Sequence, residues 1–235
     1  VFLKEEQSFP GVNFRINGAN WEQFFLRPHL SGKADANQAA PATNGITPWQ
    51  LYFGPRYSFP YKYKYDDWTH VKVVVNNNRA QVYLDYSKKP HLSWNLYHEP
   101  KEGKIAFRAG GRFGASHLAN ITINKSETSL VNFKTIERKP IDGLIPTWKI
   151  SNKFEETSLD NPNKISSIIK SRKWNHTIKV EEGTAANISR ELVRYDGQKG
   201  NTVFAKVTIN SDKKQLKYLE FGYSDRVVAI LNGKP

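Results

Sequence analysis

Between positions 15 and 49 the chain carries Arg15, Glu22, Arg27, His29, Asp35, Gln38, Asn44 and Trp49, a mixture of cations, carboxylates, amides and one indole. Such a set suits saccharide recognition. Amide, carboxylate and guanidinium groups hydrogen-bond hydroxyls, an indole stacks on the apolar face of a sugar ring, and paired guanidinium donors match a carboxylate. Arg15 alternates with Phe14 and Ile16, so a regular strand turns it away from the core face, and Arg27 and His29 share a parity. The competing reading is that Glu22 and Arg27 pair with other strand residues and pin the long loop from His29 to Trp49. That role suits Glu22 and Asp35 better, and both readings stay open for the two arginines. A second pattern runs through RYSFPYKYKYDDW, where Tyr57, Phe59, Tyr61, Tyr63 and Tyr65 occupy every second position. An extended segment would line them on one face, either as a stacking platform or as an edge whose aromatic side covers the core. Pro60 favours the edge. Arg15, Arg27, His29, Gln38, Trp49 and Tyr57 are the candidate carbohydrate-binding residues.

Other chemistries find less support. With no cysteine, the chain has no disulfide, thiolate metal site or cysteine nucleophile. No P-loop, dinucleotide fingerprint or metal-ligand spacing is present. Glycoside hydrolysis divides acid and nucleophile or base roles between two carboxylates. Here Glu5 and Glu6 are adjacent and point to opposite faces of any strand, and Asp66 and Asp67 sit at a turn. His29, His70, His91, His98 and His117 are available as bases but form no motif. Sequons at Asn120, Asn124, Asn175 and Asn187 read as composition, since Asn120 falls in an expected strand. Asp160, Asn161 and Asn163 read as a turn rather than a calcium loop.

The charge is +13, from 35 basic and 22 acidic residues, which invites a nucleic-acid reading. It is spread evenly, +6 over residues 1–137 and +7 over 138–235, with local enrichment only at Lys62 and Lys64, Lys88 and Lys89, and Lys170, Arg172 and Lys173. That disfavours a nucleic-acid footprint and leaves a bias toward acidic ligands. No apolar run approaches the roughly 20 residues of a membrane-spanning helix.

Short strands separated by Gly, Pro, Asn and Asp must position these groups. WTHVKVVV (68–75) places Val71, Val73 and Val75 on one face, Asn76–Asn78 supplies a turn, and Gln81–Tyr86 returns as a hairpin. Lys104–Arg108 and HLANITI (117–123) alternate likewise. Residues 126–146 read as a linker, closed by Pro140, Gly143 and Pro146. Strands resume at Trp148, Thr202–Asn210, Leu216–Phe221 and Arg226–Leu231. This rhythm, with almost no helical period, predicts an all-β sandwich or jelly-roll architecture.

The ordered series GVNFR (11–15), WEQFFLRPH (21–29), Ser31-Gly32, NGITPWQLYF (44–53), Trp68–Val75, Val82–Asp85 and Gly103–Phe107 resembles the concanavalin A-like lectin/glucanase (laminin-G-like) jelly rolls of bacterial secreted multidomain proteins. The likeness spans about residues 1–124. WKIS (148–151), Phe204–Ile209 and FGYSDRVVAILNG (221–233) are similar to galactose-binding-like jelly rolls. The resemblance implies a concanavalin A-like domain at 1–125 and, after the 126–146 linker, a galactose-binding-like β-sandwich at 147–235. It implies further strands before Val1 and after Pro235. The expected function is a non-catalytic carbohydrate-binding or cell-surface protein in an extracytoplasmic setting, its partner a carbohydrate, including acidic polysaccharide. A glycoside hydrolase or polysaccharide lyase acting on an acidic glycan is the alternative. No cofactor is identified, and structural calcium is implied by the resemblance alone.

Overall fold

The structure, a computed structural model, describes residues 1–109, 114–125, 129–193, 197, 199–223 and 226–233. The chain divides into two units, Val1–Pro140 and Ile141–Pro235. The boundary falls inside the expected linker, whose residues 126–128 lie outside the described set. Residues 131–133 belong to the first unit: the Gln81 amide donates to the Val131 carbonyl at 2.7 Å and accepts from its N–H at 3.0 Å, and Arg79 lies 5.1 Å from the Phe133 ring centroid.

The first unit holds β1 (Phe2–Leu3), β2 (Gly11–Asn17), β3 (Asn20–Leu26), β4 (Asn37–Ala42), β5 (Asp67–Trp68), β6 (Val71–Asn76), β7 (Arg79–Leu84), β8 (Leu92–Asn95) and β9 (Lys104–Arg108). A four-stranded sheet runs β4-β3-β2-β9, a three-stranded sheet runs β6-β7-β8, and β1 pairs with β5; every pairing is antiparallel. Register explains the core. Phe14 faces Glu22, Phe24 faces Ala39, and Leu26 faces Asn37, so one side of the larger sheet gathers the buried Phe14, Phe24 and Leu26. In the smaller sheet Val71, Val73 and Val75 pair with Leu84, Val82 and Ala80, as the alternation predicts. Phe24 meets Trp94 at 6.2 Å and stacks on Phe59 at 6.5 Å, and Leu84, Val82, Leu92 and Trp94 complete the cluster. Each such side chain contributes roughly 1.5–3 kcal/mol of burial free energy.

The segment from Tyr57 to Tyr65 joins no ladder, so it is not the edge strand that Pro60 favoured. Its odd positions turn toward the core, with Tyr57 and Tyr63 buried and Phe59, Tyr61 and Tyr65 packed against the cluster, while Pro60, Lys62 and Lys64 are exposed. It is an aromatic cover rather than a stacking platform.

Several expected strands are shorter or absent. Trp68–Val75 splits into β5 and β6, each with its own partner. Of His117–Ile123 only a lone bridge from His117 to Phe2 forms.

β2 also departs from alternation. Its register shifts against β3 between Phe14 and Asn17 and against β9 between Asn13 and Ile16, a β-bulge with Arg15 as its extra residue at φ +53°. Gly103 permits this, since a Cβ there would sit 2.5 Å from the Arg15 carbonyl carbon.

The second unit centres on β10 (Thr147–Ile150), flanked by β11 (His176–Lys179) and β12 (Ala205–Lys206), with a short helix α1 (Ile165–Ser171). Ile150, Ile165 and Ile178 are buried with Phe154, which packs on Phe204 at 4.7 Å. The strand expected at Thr202–Asn210 contracts to β12, and no ladder forms over Leu216–Phe221 or Arg226–Leu231. Leu216, Tyr218 and Leu231 are about four-fifths exposed. Ser224 and Asp225, part of the stretch resembling galactose-binding-like modules, lie outside the described residues. Strand propensity reports fit to a half-buried surface, and these segments have no such surface among the described residues.

Gly103→Ala should therefore lower the first unit's stability by about 1–3 kcal/mol, as crowding against packed backbone does, with a matching fall in the urea midpoint. An unchanged midpoint would show that the bulge yields freely.

Candidate functional site

β4 is an edge strand, yet all six of its residues are buried. Its outward groups therefore need partners other than water. The Ala39 N–H donates to the Tyr57 carbonyl at 2.8 Å and the Thr43 N–H to the Ile46 carbonyl at 2.9 Å. Pro41, between them, has no N–H to satisfy. Two side chains extend the cover. Asn37 donates to the Phe59 carbonyl at 2.8 Å and accepts from the Phe59 N–H at 3.3 Å. Gln38, 1% exposed, donates from Nε2 to the Trp49 carbonyl at 2.6 Å and to the Tyr52 carbonyl.

That arrangement places Trp49. Its backbone is held from below by Gln38, while 48% of the residue stays open to solvent. The Arg27 guanidinium lies 5.8 Å from its ring centroid and donates from Nη1 to Asp35 at 3.0 Å. The Arg27 N–H donates to the Ala36 carbonyl, so the cation follows directly from the β3–β4 pairing. His29, on the 3-10 turn Pro28–Leu30, packs edge-on against Phe9 at 5.3 Å. Burial and then Arg27 hold its imidazole below the usual histidine range, against a smaller opposing effect of Asp35. Arg27 Nε, His29 Nδ1 and Gln38 Oε1 are all buried without a hydrogen-bond partner among the described residues.

Of the six candidate residues, Arg27, Gln38 and Trp49 thus come together, with His29 near enough to Arg27 and Asp35 to feel their charge. Gln38 serves as a support, since its side chain is buried and turned to carbonyls. Tyr57 is 4% exposed, edge-on to Tyr52 at 4.9 Å, and offers no open ring face. Arg15 lies apart. It sits beside the Phe14–Glu22 pair, whereas Arg27 follows Glu22 by five positions, about 16 Å along a strand. Its nearest charge of consequence is Glu22, and burial lowers its pKa despite that carboxylate.

Glu22 heads a second polar group. It faces the core beside Phe24 and is 1% exposed. Oε1 accepts from the Tyr97 N–H at 3.0 Å, the His98 N–H at 2.8 Å and His98 Nδ1 at 2.9 Å, and His98 Nε2 lies 3.2 Å from Thr43 Oγ1. Carboxylate, imidazole and hydroxyl stand in the order of a nucleophilic relay. The amides after Thr43 are spent, however: Asn44 N–H donates to Asn20 Oδ1 and Gly45 N–H to the Ala19 carbonyl. Neither is aimed at an oxyanion position. The geometry makes Glu22 a clamp that ties residues 97–98 to the sheet. A carboxylate on the core parity of WEQFFL was the sequence signal for it, because a buried charge must find donors. No cluster of three or more metal-ligating side chains occurs among the described residues.

Glu22→Gln keeps the shape and removes the charge from three hydrogen bonds. We expect a loss of about 1.5–3 kcal/mol in chemical denaturation, and a neutral effect would contradict the clamp. Set against family models, curated proteins and solved structures, the chain gives no match in any of the three comparisons.

Proposed function

We propose that this is a non-catalytic carbohydrate-binding or cell-surface interaction protein, extracytoplasmic, built on modules of the concanavalin A-like and galactose-binding-like kinds. The observation that carries the proposal is Trp49, a half-exposed indole on a backbone fixed by Gln38, with Arg27 and Asp35 beside it. An exposed aromatic on an immobile support offers a sugar ring a stacking surface at little entropic cost. Asp35, 43% exposed at its side chain, accepts sugar hydroxyls at the ring's edge. Arg27 and His29 favour a ligand carrying a carboxylate or sulfate, in keeping with the net charge of +13.

Two tests follow. Trp49→Ala should weaken glycan binding at least tenfold in calorimetric titration while leaving the fold intact; glycan binding unaffected by the change would refute the site. Affinity for an acidic oligosaccharide should also rise as pH falls from 7 toward 5.5. His29 is held neutral by burial and by Arg27, an anionic ligand raises its pKa, and complex formation therefore takes up a proton. His29→Gln should flatten that profile, and a flat profile in the unmodified protein would remove His29 from the site.

A further inference from the structure

The turn after β7 carries an aromatic residue that its backbone does not favour. Ser87 N–H donates to the Leu84 carbonyl at 3.1 Å, closing a four-residue turn whose central residues, Asp85 and Tyr86, have φ of +47° and +57°. Such a turn prefers Asn-Gly; Asp tolerates the left-handed region, whereas Tyr is strained there. Burial does not explain the residue either, since Tyr86 is 80% exposed. A strained backbone position that presents an exposed aromatic ring is a pattern of functional sites.

The surroundings fix that ring in place. Tyr86 stacks on His70, with ring centroids 3.9 Å apart and planes 15° from parallel. Asp85 Oδ1 accepts from the His70 N–H at 3.0 Å, Oδ2 accepts from the Tyr61 hydroxyl, and the Asp85 N–H donates to the His70 carbonyl at 2.9 Å. His70 Nδ1 is buried without a partner among the described residues. Lys88 and Lys89 follow Tyr86 in the same loop and are exposed, while Lys72, its ammonium 4.3 Å from the Tyr83 ring centroid, is close enough to His70 to lower its pKa. An exposed aromatic plate, in one loop with a carboxylate and two exposed lysines, has the chemistry to take an anionic pyranose. The ring stacks, Asp85 accepts hydroxyls, and the lysines pair with the charge.

We propose that Tyr86, stacked on His70 and sharing its loop with Asp85, Lys88 and Lys89, forms a second saccharide site for a uronate or sulfated sugar. It sits on the turn after β7, shares no residue with the Trp49 site, and does not rest on it. The experiment uses the full chain carrying Trp49→Ala, titrated calorimetrically with oligogalacturonate, a heparin oligosaccharide, a neutral galacto-oligosaccharide and oligothymidylate. Residual binding to either acidic sugar is expected, and the two arms tell carboxylate from sulfate. Adding Tyr86→Asn, a residue suited to the left-handed region, should cut that binding at least tenfold while the thermal midpoint holds or rises, and Tyr86→Phe should retain it. Absence of binding to both acidic sugars in the Trp49→Ala protein overturns the second site and leaves the first standing. Binding insensitive to Tyr86→Asn, a marked fall in the midpoint, or equal affinity for the neutral sugar or the oligonucleotide overturns it as well. If Trp49→Ala changes no binding and Tyr86→Asn abolishes it, the first site fails and this one stands.

Discussion

The first unit depends on satisfying a buried sheet edge. β4 ends the larger sheet, and an edge strand left in apolar surroundings would strand its donors and acceptors. Three devices answer this: backbone bonds from Ala39 and Thr43, a proline at the intervening position, and the side chains of Asn37 and Gln38 bonding the backbone of Phe59, Trp49 and Tyr52. Burying Asn37 and Gln38 would be costly without those partners. The same bonds hold the 49–59 cover and present Trp49 beside Arg27. Site and fold share one constraint.

The 57–65 segment carries that constraint toward the smaller sheet. Tyr63 donates to the Ala36 carbonyl at 2.8 Å and Tyr65 to the Pro28 carbonyl at 3.0 Å, while Tyr61 reaches Asp85. Burial raises the Tyr63 pKa, so its hydroxyl stays protonated and donates throughout the ordinary pH range. Aromatic residues at every second position thus do two jobs. Their rings fill the core margin, and their hydroxyls tie loops of both sheets to one strip of chain.

Alternation was informative where a strand is regular and has a partner. Val71, Val73 and Val75 face Leu84, Val82 and Ala80 as their spacing implies, and the tyrosine strip covers the core, though not as the edge strand that Pro60 suggested. It failed at Arg15, because a bulge inserts one residue and depends on a close approach by Gly103, distant in sequence. It failed at Asp85 and Tyr86, where Tyr86 gives no sign of a left-handed turn. The Glu22–His98 contact joins residues 76 positions apart, so parity could show Glu22 to be buried but not name its donor. In the second unit, the apolar alternation at Leu216–Phe221 reports strand propensity without the packing that makes a strand.

The central claim is that the cover over β4 presents Trp49 as a sugar-binding ring, and the indole N–H resonance of Trp49 reports on it most directly. Followed by NMR during titration with an acidic oligosaccharide, it should shift progressively in the unmodified protein. In a folded Gln38→Leu variant, which loses the bonds to the Trp49 and Tyr52 carbonyls, the shift should be lost or need far more ligand. An indole resonance that stays put while the protein binds glycan, or a Gln38→Leu variant that titrates like the unmodified protein, would contradict the account.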